Sequence, residues 1–158
     1  MINKIFNLKN LLLSHLLILC LTCCFATSAI AEANKNNVAT TKLLLNWMQK
    51  NLNSHANFSS TDLEQFFASK FIIDTNGKIV KATPATYHEY LYKFKPNIAS
   101  VHYDVQRFIN ANEDVIVPFI ITIKNIDDKT NQILRVIAIF KFDENGRIIM
   151  WQEVFTKI

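Results

Sequence analysis

The chain has 158 residues, half of them hydrophobic, with 17 lysines and arginines against 13 aspartates and glutamates, for a formal net charge of +4. That length suits one domain with a sizeable core, and so apolar a composition excludes a disordered chain. The basic residues are scattered singly, without a Lys or Arg run, which argues against a nucleic-acid-binding surface.

Lys4 and Lys9 precede an apolar stretch from Leu11 to Ala26 that leads into Ala29-Ile30-Ala31. A basic start, an apolar centre and small residues at Ala29 and Ala31 predict a bacterial-type signal peptide over residues 1–31, cut before Glu32, and so an exported protein, periplasmic or secreted. The apolar stretch is short for a bilayer span and is interrupted by Ser14 and His15, so no membrane attachment is expected after cleavage; a retained anchor is the alternative. Leu21-Thr22-Cys23-Cys24 leaves lipid attachment at Cys24 open, although Cys23 stands where a small residue is expected. Cys20, Cys23 and Cys24 all fall inside this segment, so the remaining 127 residues (158 less 31) have no disulfide and no thiol chemistry. They keep 15 basic residues, since Lys4 and Lys9 are lost, and all 13 acidic ones, for a charge near +2.

Residues 32–158 read as a single domain. From Asn37 to Leu52, Val38, Leu45, Met48 and Leu52 recur at helical spacing, flanked by Leu44 and Trp47, and predict an amphipathic helix. Thr61-Asp62-Leu63-Glu64 has the form of a capping box and predicts a second, shorter helix through Phe66 and Phe67. Phe71 to Asp74 and Lys78 to Val80 flank Asn76-Gly77, a dipeptide suited to a tight hairpin. Thr83-Pro84 opens a third helix with proline in its first turn, and Pro96 marks its end. Four strands follow, Ser100–Phe108, Val115–Ile123, Gln132–Phe142 and Arg147–Lys157, separated by turn-rich breaks. Pro118 cannot donate to a ladder and predicts a bulge, an edge or a break in its strand.

These elements predict an α+β fold in which three N-terminal helices pack on a strongly curved antiparallel sheet, enclosing a cone-shaped interior. Several strands are apolar on both faces, as in Val115-Ile116-Val117-Pro118-Phe119-Ile120-Ile121. With no helix left to cover the second face, a homodimer through the sheet is expected.

The order of elements, and the closing strand Gly146-Arg147-Ile148-Ile149-Met150-Trp151-Gln152-Glu153-Val154-Phe155, resemble the nuclear transport factor 2-like superfamily, in particular its SnoaL-like, ketosteroid isomerase-like and limonene epoxide hydrolase-like members. The resemblance spans residues 37 to 158 and implies a cone-shaped pocket. It is poor in functional content, because isomerases, dehydratases, hydrolases, cyclases and association domains share this fold.

Two acids are candidate catalytic residues. Glu153 alternates onto the face of Trp151 and Phe155, where desolvation would raise its carboxyl pKa, and the resemblance matches it to the acid of the closing-strand motif. An ion pair with a residue such as Arg135 is the structural alternative. Asp74 matches the ketosteroid isomerase-like aspartate in position only; two residues before Asn76-Gly77, it also suits a turn acceptor. Trp151, Phe155, Tyr87, Leu91, Tyr103 and Trp47 are candidate ligand-binding residues, and Tyr87, Tyr90, Tyr92 and Tyr103 are all available as oxyanion donors. The charged pair that epoxide hydrolase-like members carry on the strand equivalent to Val117–Thr122 is missing, and Asp104 and Arg107, three apart, fall on opposite faces. His55, His88 and His102 lie apart in loop, helix and strand, so no metal is expected, and no cofactor fingerprint is present. Together these features predict binding of a small apolar molecule or a partner segment in the cone. The alternative is a cofactor-independent isomerase, dehydratase or cyclase using a pocket carboxylate.

Overall fold

The computed structural model describes residues 36–127 and 131–158. The expected signal peptide, its cleavage site and Cys24 lie outside the described residues. Helix α1 covers 36–51, α2 Ser60–Glu64 and α3 Pro84–Phe94, the last followed by a 3-10 turn at Lys95–Asn97. The strands are β1 Phe67–Thr75, β2 Lys78–Ala82, β3 Ile98–Val105, β4 Ile109–Ala111, β5 Asp114–Asn125, β6 Asn131–Phe142 and β7 Ile148–Lys157.

They form one curved, unclosed sheet in the order β2-β1-β7-β6-β5-β3, with β4 also paired to β5. The sheet is mixed, because β1 runs parallel to β7 while every other ladder is antiparallel. A parallel pair needs a long connection, and α3 and the whole meander lie between these two strands. Register shifts at Phe67/Ile72, Ile98/Ser100 and Lys141/Phe142 mark the irregularities at which such a sheet bends.

Local chemistry accounts for most of the boundaries. Asn76 and Gly77 both have positive φ (50° and 84°), the requirement of a type I′ hairpin between β1 and β2. Gly146 (φ 71°) serves a longer loop organised by Asp143, whose Oδ1 accepts from the backbone N–H groups of Asn145 (3.0 Å) and Arg147 (2.8 Å). Thr83 caps α3 by accepting from the Thr86 amide at 3.2 Å, with Pro84 in the first turn.

Two expectations are corrected here. The second helix stops at Glu64, and Phe67 begins β1, where its ring stacks on Phe71 at 4.3 Å and lies 6.4 Å from Trp151. Burial between strands outweighs the short helical pattern. Its capping box is Ser59 with Asp62, two residues earlier than Thr61 with Glu64: the Ser59 amide donates to Asp62 Oδ2 at 2.7 Å, and this bond holds the Asp62 carboxyl below its ordinary value.

Pro118 does not break β5. It stays in register with Ile137 of β6, and its carbonyl accepts from the Gln106 amide at 3.1 Å. The N–H and C=O of one strand residue point toward the same neighbour, so the missing donor faces the gap between the end of β3 and the start of β4. No ladder bond is lost there.

The core lies between the helices and the inner face of the sheet. Leu44, Leu45 and Met48 of α1, Leu63 of α2, and Tyr87 and Leu91 of α3 join Phe67, Phe71, Val115, Val117, Phe140 and Ile148 in one buried cluster. On the outer face the cross-strand neighbours Ile137 and Val154 remain 54% and 60% exposed. Among the described residues nothing packs over them.

Candidate functional site in the cone

The strand register arranges the inner face in rows. One runs Val80–Ile73–Trp151–Phe140–Val115, and the next Lys78–Thr75–Glu153–Ala138–Val117. Beyond them come Phe155–Val136–Phe119–Val105 and then Lys157–Leu134–Ile121–Tyr103. Glu153 is therefore the one acid among these inner-face positions, flanked along β7 by two aromatics. Its cross-strand neighbour on β6, Ala138, is fully buried in the core.

Two neighbouring cavities, of about 410 and 520 Å3, occupy the cone. Thr75, Tyr87, Tyr90, Trp151 and Glu153 line both. The smaller lobe extends under β2 along Ile73, Val80, Lys78 and Lys81. The larger extends toward β3 and β5 along Leu91, Tyr103, Phe119 and Leu134, with Phe155 in its wall.

Burial raises the Glu153 carboxyl above its ordinary value of 4.5. The Thr75 hydroxyl, donating to Oε1 at 3.2 Å, pulls the other way, as does the nearby Trp151 indole. That indole does not complete a well-formed hydrogen bond, and its Nε1 is a buried donor without a partner. Tyr87 and Tyr103 are pushed above the usual phenol range, first by burial and then by their charged surroundings, which for both include Glu153. These hydroxyls stay protonated at any physiological pH and remain donors.

Asp74 is not in the cone. Paired with Gln152, it lies on the outer face, where its carboxylate accepts from Gln152 Nε2 (2.9 Å) and from the Gly77 amide (2.9 Å). That is the turn-acceptor arrangement. Trp47 also stands outside both cavities, packed edge-on against Phe58 at 5.0 Å and tilted against Phe66 at 6.0 Å. Trp151, Tyr87, Leu91, Tyr103 and Phe155 do line the cavities, together with Thr75, Tyr90, Ile73 and Phe94. The sequence held one signal for Thr75, its alternation with Ile73 and Phe71 in a hairpin strand, but no local pattern sets that strand beside Glu153.

Arg135 is exposed in register with Ile120 and Thr156 on the outer face, so it makes no pair with Glu153. His88 sits outside the cone with Nε2 3.0 Å from the Phe58 carbonyl oxygen. His102 and Asp104 are exposed on β3. Among the described residues no three His, Cys, Asp or Glu side chains gather where a metal ion could be held.

No protein-family model matches the sequence, and no curated protein matches it. Solved structures do match in three dimensions. A mixed, curved sheet over three helices, with the closing strand paired to β1, decides the fold. The chain has the nuclear transport factor 2-like fold. An NTF2-like protein from Anabaena variabilis ATCC 29413 superposes with a TM-score of 0.61 at 11% identity, covering 77% of this chain and 90% of that one. A SnoaL-like protein from Jannaschia sp. CCS1 gives 0.61 at 9% identity, covering 77% and 85%. An LEH-like epoxide hydrolase from M. tuberculosis gives 0.60 at 13% identity, covering 77% and 84%. At such identities the likeness carries the NTF2-like fold and no activity. In this chain Val117, Phe119 and Ile121 give the cone only apolar side chains from β5, without a charged pair.

Proposed function

We propose that the cone binds a small, largely apolar molecule through a hydrogen bond to Glu153. The observation that carries this reading is a desolvated acid standing in an open, aromatic-lined cavity, with the Thr75 hydroxyl as its hydrogen-bond partner. Tyr87 and Tyr103 add hydroxyl groups to the walls of the larger lobe. A second reading, proton transfer by Glu153 in a cofactor-independent isomerase, dehydratase or cyclase, is favoured by one specific feature: an acid raised toward neutrality beside hydroxyls able to steady a developing oxyanion.

Glu153→Gln separates the two. The substitution keeps size and one acceptor while removing the titrating group. Under the binding reading, ligand retained by the purified protein, read by native mass spectrometry, changes in affinity by no more than about tenfold and neither form turns it over. Under the catalytic reading, turnover of the retained compound falls by about 100-fold or more with folding intact. A protein that retains nothing, and binds no apolar probe, removes both.

The reading extends to setting and assembly. The Lys4-to-Ala31 segment supports export to the periplasm or beyond, and the apolar outer face of β5, β6 and β7 supports a homodimer through the sheet.

A further inference from the structure

The smaller lobe is rich in donors and poor in acceptors. Among its polar lining residues, Thr75 is committed to Glu153, and Thr86 to the cap it forms with Thr83. What remains are the ammonium group of Lys78, on the inner-face row, and the hydroxyls of Tyr87 and Tyr90; Lys81 borders the lobe but pairs with Ile72 on the outer-face register. Glu153 is the lone carboxylate of the lobe.

Lys78 stands at the sheet-edge end of the row Lys78–Thr75–Glu153. Neighbouring strands lie about 4.8 Å apart, so one intervening strand sets its backbone roughly 10 Å from that of Glu153. The separation matters, because a negative group held at Lys78 does not have to sit against the acid. Lys78 forms no salt bridge among the described residues; the pair seen there is Lys141 with Asp114 on another part of the sheet. Between Lys78 and Glu153 the walls are largely apolar, formed by Ile73, Val80, Trp151 and the stacked rings of Tyr87 and Tyr90, whose planes lie 10° apart with centroids at 6.2 Å. An unpaired cation at the edge of a low-dielectric cavity focuses a positive field into it.

We propose that the occupant of this site is an amphipathic anion, an apolar ring system lying against Tyr87, Tyr90 and Trp151 with its carboxylate or sulfonate at Lys78. This rests on the reading of the cone as a small-molecule site and specifies the charge and shape of what it takes. The anion accepts from the Lys78 ammonium group, and the far edge of the rings reaches Glu153 and the donors beside it.

Two fluorescent probes with the same rings test the assignment: the anionic 1-anilinonaphthalene-8-sulfonate and the uncharged N-phenyl-1-naphthylamine. The sulfonate is expected to bind saturably and more tightly than the amine. In Lys78→Ala its Kd rises by about threefold or more, the loss of a partly exposed ion pair, while the amine is unchanged within about twofold. Added salt weakens the sulfonate alone, Lys78→Arg restores its affinity, and Lys81→Ala, on the other face of β2, has a smaller effect than Lys78→Ala. Lys78 and Lys81 are exposed on an edge strand, so the variants should keep the wild-type melting temperature, which is measured alongside. Equal affinity for the two probes, indifferent to Lys78→Ala, overturns the anionic assignment and leaves the apolar cone standing. Failure of both probes to bind saturably overturns the cone reading as well.

Discussion

Glu153 shows how one carboxylate acquires its properties from neighbours that are distant in sequence. Thr75 reaches it across the parallel β1–β7 ladder, and Trp151 and Phe155 flank it along β7. Because burial raises its pKa, the folded protein holds this proton to a higher pH than the unfolded chain does. Between the ordinary value of 4.5 and the raised one, the native state binds more protons, so Glu153 lowers stability as pH climbs through that window and the loss levels off above it. Its contribution is least unfavourable below the ordinary value, where both states are protonated. Glu153→Gln should therefore flatten the upper part of that window in urea unfolding measured from pH 4 to 8. An unchanged pH profile would mean that the carboxylate is solvated in the native protein. Asp74 is the instructive contrast: one residue along β1 from Thr75, its side chain points to the opposite face and serves a turn.

At the scale of elements, the hairpins carry much of the specification. The β1–β2 turn needs positive φ at both central residues, and Asn76-Gly77 meets that need with the residues least strained by it. A Cβ at Gly77 would meet no atom within 4 Å, so Gly77→Ala tests backbone strain alone. The expected loss is about 1 kcal/mol by chemical denaturation, with Gly77→Asn costing less. Equal stability of all three forms would show that the turn relaxes to another type. The strands after Pro96 were legible because alternation and turn residues agree along each of them, and Thr83-Pro84 marked α3 for the same local reason. The run after Glu64 was not legible as strand. Phe66 and Phe67 follow directly on a capped helical turn, and their preference is decided by Phe71, Tyr87 and Trp151, which the chain brings up only on folding.

For the whole molecule, the unresolved balance lies on the outer face of the sheet. Ile137 and Val154 are cross-strand partners, both more than half exposed, with Ile116, Ile120 and Ile139 on the same face of β5 and β6. Under the homodimer proposal a second copy buries them. Sedimentation of residues 32–158 should then show a dimer whose melting temperature rises with protein concentration. Val154→Asp should shift it to monomer while leaving the cone and its probe binding in place. A wild-type protein that sediments as a monomer at every concentration would remove the dimer.

The sequence by itself determined the periods, the turns and therefore the strands, because those depend on residues close together in the chain. It also placed Glu153, Trp151 and Phe155 on one face, since a strand alternates strictly. Which face became the inside, and which acid lay within it, was decided only by tertiary structure. The pairing of β1 alongside β7 brings Thr75 to Glu153 and turns Asp74 away, and it joins residues 78 positions apart. No local pattern encodes a contact of that span, because it arises from closing the sheet over the helices as one cooperative packing event.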